Sequence, residues 1–579
     1  MARDLLLAGA ILVAVLIAGI SLARGRGKRA EDPVERFAAG RTLSPLVLGG
    51  SMAASFMSAD TPLLIASAVY LDGLPGNWFW WISAPGVLAT LFFFARLWRR
   101  SEVLTDVGII TLRYGTSSAA RGLRLIRAVF EGVVVNTLVL ASSGWALLLL
   151  LDAMLGERPV TPGSPVSLAA AIVALLFAAT AAFTVAVGFR GLVRTNTVQF
   201  ALVLVASAIT AGFAVAALPG GLETLRTTTA ARSGVAVFDF LPRDGFSVAI
   251  LLAGLGWFHT APGGGMLVQR VVAARDERGA TATVMTFAAL HYLVRPWAWY
   301  LIGAAALVHL PRLDSADRAF PAVAALVLPS GLAGLLTAGL LLAFVGSVNT
   351  RLNLGASYLV NDMVAPYRPA LAARRGRALE AVAVATLTVA ALAIALGGMF
   401  GSFLALYQYL IVISAGSAFV SIARWYWWRL TIWSEIGALA TAIVLGNLLM
   451  LVGDTGEPVM FMAMMAGNCA GGAAVAIAIA HLGPQTAPAT SAAFFARVRP
   501  AGPGWRPFGQ ARDASLLSAA SWWLLANVAL FATIFAIAEL LAGRYLAALP
   551  AALALLAAAP IVRRRGRLRS VLGWSDHPA

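Results

Sequence analysis

Apolar stretches of membrane-spanning length recur along the whole of this 579-residue chain, each closed by arginines, glycines or prolines. A helix crosses a bilayer with about 20 mostly apolar residues. Windows that meet this need fall near 4–23, 45–71, 77–97, 123–153, 166–188, 194–217, 246–268, 284–310, 331–363, 378–397, 400–423, 434–453, 458–482, 519–542 and 545–562. In lipid the backbone must satisfy its own hydrogen bonds, so the pattern predicts an all-α integral membrane protein of about fifteen transmembrane helices.

The polar connections alternate in charge. With the N-terminus outside, the inside connections carry Arg24, Arg26, Lys28 and Arg29, then Arg99, Arg100 and Arg113, later Arg374, Arg375 and Arg377, and finally Arg563 to Arg569. The outside connections carry only Arg158, Arg226, Arg232, Arg243, Arg312 and Arg318. Basic residues are retained on the cytoplasmic face, which predicts a multi-pass cell-membrane protein with its N-terminus out and its C-terminus in.

Two windows make poor continuous helices. The second contains Ser51, Ser55 and Ser58 followed by Asp60-Thr61-Pro62, and the seventh contains Trp257-Phe258-His259-Thr260-Ala261-Pro262 followed by three glycines. Proline removes a helix bond, and backbone freed at depth is tolerated where it lines a cavity. One such window reads as a packing kink. Two of them, five spans apart, read as the broken first helices of a 5+5 inverted repeat, with substrate and ions between the breaks. The expected organisation is an extra span and basic loop over 1–44, a first repeat over 45–217, a second over 246–430 and additional spans over 431–579.

Composition agrees with this and removes competitors. Hydrophobic residues make up 60% of the chain and charged residues 12%, against about 25% charged in soluble domains. The formal charge of +17 would raise nucleic acid in a soluble protein, but here the arginines sit in short runs between apolar windows. Nucleic acid is therefore not an expected partner, while the lipid bilayer is. Cys469 is the single cysteine, and the five histidines fall in no metal-ligand spacing. No nucleophile, zinc or phosphate-loop motif is present, so the chain is not expected to be an enzyme. The stretch Leu5 to Leu22 reads as a retained span and not as a cleaved signal peptide.

Four motifs, in order, resemble the sodium/solute symporter family. Phe37-Ala38-Ala39-Gly40-Arg41-Thr42-Leu43 is similar to its F-x-x-G-R-S-L entry to the second span, and Leu112-Arg113-Tyr114-Gly115 to its R-Y-G loop. Gln269-Arg270 with Ala273, Ala274 and Asp276 is similar to its Q-R-x-x-A-A-K-D segment, and Leu352-Asn353 through Asn361-Asp362 to the end of its ninth span. The resemblance implies a leucine-transporter-like fold and symport of a small polar solute with a cation, sodium first, and no organic cofactor. An uncoupled facilitator or a transport-inactive solute sensor on the same fold is the alternative.

The same resemblance implies a sodium site from the carbonyls of Ala54, Met57 and Ala343, with Gly346 and Ser347 in the ninth span. Gly346 departs from the usual Ser or Thr and lacks a hydroxyl. Asn196 and Asn349 stand where relatives carry Asp, which argues against a second sodium site. Asp60 falls at a position for a substrate-contacting acid, and Asp before Thr61-Pro62 also suits a helix cap. Trp257 and Thr260 flank the seventh-span break as cavity residues, and His291 lies near a position where a relative presents a cation. Arg295 reads as a binding or gating cation if deep and as a snorkelling anchor if near the interface.

Overall fold

The computed structural model describes residues 2–23, 33–58, 60–155, 167–242, 254, 261–397, 403–454, 457–509, 515–544, 548–563, 568 and 570–572. Among these residues the chain is helical, with two isolated bridges and no strand. Nine helical stretches are long and apolar enough to cross a membrane, and two bent pairs bring the described total to eleven.

Helix α1 (Ala2–Ala23) is followed by α2 (Pro45–Ser55) and α3 (Asp60–Asp72), which meet at 63° and together make one broken span. Ser44 caps α2, its Oγ accepting the Val47 N–H at 3.4 Å, with Pro45 in the first turn where no N–H is needed. α3 opens on Asp60-Thr61-Pro62 by the same logic. The second window is thus broken where its polar residues cluster. α4 (Asn136–Leu155) precedes α5 (Leu168–Ala216). The 49 residues of α5 would span about 74 Å at 1.5 Å each, more than twice a hydrocarbon core. Its Gly188 leaves helical geometry at φ 60°, ψ −173°, so α5 is two segments that carry the fifth and sixth windows across a kink.

The seventh window is described from Ala261 onward and at Gly254. Ala261 to Gly264 are not helical, and α6 (Gly265–Val272) begins after the glycines. α7 (Glu277–Ala288) is capped by Asp276, whose Oδ1 accepts the Gly279 N–H at 2.6 Å, and continues through a wide turn over Ala289–Val294. α8 (Leu332–Tyr358) is the central helix: every residue from Leu336 to Tyr358 except Arg351 is buried, so it packs protein on all sides. α9 (Phe403–Ala415) and α10 (Ala418–Tyr426) form the second bent pair, at 44° over Ala405 onward.

Small residues let these helices approach closely, as membrane packing requires. A Cβ on Gly49 of α2 would lie 2.6 Å from the Thr286 Cβ of α7, and one on Gly303 would lie 2.9 Å from the Ala66 Cα of α3. Arginines fasten the connections. Arg113 is fully buried and donates to the carbonyls of Arg424, Trp428 and Leu430 at 3.1, 2.9 and 3.1 Å. Tyr114 donates to Glu435 at 2.7 Å, and Arg124 pairs with buried Asp362 at 2.7 Å. The R-Y-G and N-D strings therefore sit at structural staples.

Candidate functional site

The break between α2 and α3 opens onto a cavity of about 490 Å³. Asp60 lines it and is 1% exposed. Its Oδ2 accepts from Ser142 Oγ of α4 at 3.0 Å and from the Tyr407 hydroxyl of α9 at 2.9 Å. Its Oδ1 is buried without a partner. A carboxylate half satisfied and half free is costly to bury, so it stands ready to accept a hydrogen bond or a positive charge. Arg351, partly exposed within the otherwise buried stretch of α8, lines the same space.

His291 also lines the cavity and is 3% exposed. Its ring stacks on Trp80 at 4.6 Å, meets Phe287 at 4.5 Å and stands edge-on to Phe56 at 5.8 Å. Its Nδ1 has no partner, and Nε2 lies 3.5 Å from Arg295 Nη2. The ring is an element of an aromatic wall with one free polar edge.

Arg295 is buried inside the protein, 1% exposed, so its guanidinium does not reach out as a snorkelling anchor. Its Nη1 donates to the carbonyls of Ala53 at 3.1 Å and Phe56 at 2.8 Å, two oxygens released where α2 ends. The guanidinium lies 4.9 Å from the Trp80 ring centre and 5.5 Å from that of Trp299. A guanidinium thus serves part of the broken span, which the spacing of the sequence did not reveal.

The residues of the expected sodium site lie close to this region. Ala54, Met57, Ala343 and Ser347 are all buried, and Ser347 lines the cavity. The Ala54 carbonyl accepts the Met57 N–H at 2.9 Å in the turn that ends α2. Gly346 has no spare room beside it. A Cβ there would overlap Gln199 Oε1 of α5 and approach Asn196 Oδ1 at 3.1 Å. Both amide oxygens are buried without hydrogen-bond partners. The space a hydroxyl-bearing side chain would use is held by two carboxamides, so Gly346 is matched to its neighbours. The arrangement offers neutral oxygens of the kind a monovalent hard cation accepts.

Trp257 and Thr260, expected at the second break, lie outside the described residues. Sequence reading missed Ser142, Tyr407, Trp80 and Gln199. Tyr407 and Trp80 sat in ordinary apolar windows, and only the packing of α9 and of the segment holding Trp80 brings them to the cavity.

The model of the sodium:solute symporter family matches residues 37–446. The chain belongs to this family. Among solved structures it is similar to a substrate-bound, outward-open Na+-coupled sialic acid symporter, with a TM-score of 0.67 at 16% identity, over 84% of this chain and 99% of that one. It is also similar to Mhp1, a nucleobase-cation-symport-1 family transporter in a closed conformation with bromovinylhydantoin bound, with a TM-score of 0.50 at 14% identity, over 79% and 97%. No curated protein matches the sequence. At these identities the likeness speaks for the fold, and the family membership makes this a membrane transport protein of the symporter class.

Proposed function

We propose that this symporter-family protein moves a small polar organic solute together with a cation, sodium first, by alternating access. The observation that carries the reading is the α2–α3 break, where Asp60, one of its buried carboxylate oxygens unpartnered, lines a cavity. Asp60, His291 and the undescribed Trp257 and Thr260 are read as solute contacts. The Ala54, Met57 and Ala343 carbonyls with Ser347 are read as the ion site, Gly346 marking the missing hydroxyl. Residues 45–217 and 246–430 are read as the two inverted repeats, with 1–44 and 431–579 outside them and the N-terminus outside the cell. Two interruptions support that repeat, at Ser55–Asp60 and at Ala261–Gly264.

A thermal-shift panel of sugars, amino acids, carboxylates and vitamins identifies the solute, run with sodium and with potassium at constant ionic strength. Proteoliposome uptake of the hit should then rise with an inward sodium gradient, and Asp60→Asn should abolish binding. The specific observation favouring an uncoupled facilitator or a sensor is Arg295, which already occupies the Ala53 and Phe56 carbonyls. Uptake that is equal in sodium and potassium, or binding without uptake, would select those readings.

A further inference from the structure

Beside the cavity, and sharing Ser55 with its lining, lies a second polar junction built by four helices. Arg270 of α6 is fully buried. Its Nη2 donates to Ser55 Oγ of α2 at 2.9 Å and to Thr350 Oγ1 of α8 at 3.3 Å, and its Nη1 to Gln269 Oε1 at 2.7 Å. Asn196 of α5 donates its Nδ2 to the same two hydroxyls, at 3.0 and 3.3 Å, and those hydroxyls are 3.0 Å apart. The Phe189 ring lies 5.2 Å from the guanidinium. Among the described residues no carboxylate pairs with Arg270, and its Nε has no partner. Two hydroxyls and a carboxamide from α2, α5 and α8 thus converge on one point, and the positive charge there belongs to the chain.

The Ser55 and Thr350 hydroxyls and Gln269 Oε1, which the guanidinium holds, are neutral oxygens of the kind a monovalent cation takes, while Asn196 presents an N–H donor to the hydroxyls. We propose that Arg270 is a tethered cation that fills this junction and excludes a sodium ion from it. Resting on the sodium-coupling reading above, the inference limits the protein to one bound sodium. An ion held about 2.4 Å from Ser55 Oγ would lie within roughly 5 Å of the guanidinium. At an effective dielectric near 20, the repulsion lowers its affinity of order a hundredfold. Asn196 adds no negative charge to offset this. A tethered charge is present at every sodium concentration, so it adds nothing to the differential binding that drives coupling. Its role is to hold α2, α5 and α8 together at the break without an ion.

The test counts sodium. Binding of ²²Na+ to the purified full-length protein in detergent, with potassium balancing ionic strength, should be hyperbolic and reach one ion per chain. Arg270→Lys keeps the charge and should keep that stoichiometry. The double variant Arg270→Gln, Asn196→Asp removes the cation and supplies a carboxylate, and should gain one ion per chain. Two ions bound by the wild type would overturn the proposal, whatever the variants do. So would a double variant that melts cooperatively and gains none. If the wild type binds none and the double variant binds one, the tether stands and the sodium-coupling reading falls. If neither binds sodium, both fall.

Discussion

Arginine serves two regions of this protein, and the company it keeps differs. At the connections between spans, Arg113 meets backbone carbonyls, but four other arginines meet carboxylates: Arg124 with Asp362 at 2.7 Å, Arg100 with Glu277 at 2.7 Å, Arg190 with Glu35 at 2.9 Å and Arg424 with Glu435 at 3.2 Å. Around the α2–α3 break, Arg270 and Arg295 meet hydroxyls, backbone carbonyls and aromatic faces. A carboxylate partner neutralises the charge and makes a staple. Neutral oxygens leave the charge in place, beside a cavity that Asp60, Asp106 and Glu131 also line. One residue type performs fastening in the first region and electrostatics in the second.

The comparison breaks first at Arg295. Arg295→Gln strands the Ala53 carbonyl and leaves that of Phe56 with only the Thr61 hydroxyl at 3.4 Å, and an unsatisfied buried group costs about 1–3 kcal/mol. The expected result is the largest fall in Tm of the set together with loss of solute binding. No single neutralising substitution in a described partner should rescue it, because its direct hydrogen-bond partners are uncharged backbone oxygens. Rescue by such a change would erase the distinction between the regions.

Arg124→Gln should cost about 3 kcal/mol, since it leaves the Asp362 carboxylate buried and unpaired. Here rescue is expected: adding Asp362→Asn should restore most of the lost Tm. A double variant no more stable than the single one would show that this staple acts through packing and not charge.

Gly346→Ser sharpens the picture of the core. A family-wide comparison invites the change as a restored ligand, but the new Cβ would overlap Gln199 Oε1. Gln199 must turn aside to admit it, and where it does not, overpacking of this kind costs about 1–3 kcal/mol. The variant should bind sodium more weakly than the wild type, and Gln199→Ala should relieve the defect. Tighter sodium binding in Gly346→Ser alone would mean that Gln199 yields without cost.

The smallest effect concerns acid. Burial by itself would raise the Glu277 carboxyl, but hydrogen bonds and charge from Arg100 and Arg96 hold it below its ordinary range. A depressed folded pKa contributes stability above the unfolded value that is lost as pH falls through the folded one, here below about pH 4. Glu277→Gln should lower Tm modestly at neutral pH and flatten its decline in acid. An unchanged acid slope would remove Glu277 from the staples.

Much of this architecture was legible in the order of residues. Hydropathy gave the class and most spans, since the cost of exposing polar backbone to lipid is local to each window. The second-span break was legible from Ser55 to Pro62, because proline and small polar residues weaken a helix wherever they stand, and the structure bends there by 63°. Asp60 and His291 were singled out through the family resemblance, and both line the cavity. The count of about fifteen spans compares with eleven described candidates for four reasons: the fifth and sixth windows run through Gly188 as one element, the seventh is described only in part, the eighth is interrupted at Arg295-Pro296, and the last is a helix of only 16 residues.

Partnership was decided by the tertiary structure. Arg295 on the Ala53 and Phe56 carbonyls, Tyr407 on Asp60, and Arg270 between Ser55 and Thr350 join residues 80 to 347 positions apart. Gly346 reads in sequence as a lost hydroxyl, whereas in space it is the clearance that admits Gln199 and Asn196. Propensity and hydropathy are properties of a segment and its solvent, so sequence carries them. The partner that satisfies a buried charge is a property of how segments pack, and that was fixed only when α2, α5, α6 and α8 met.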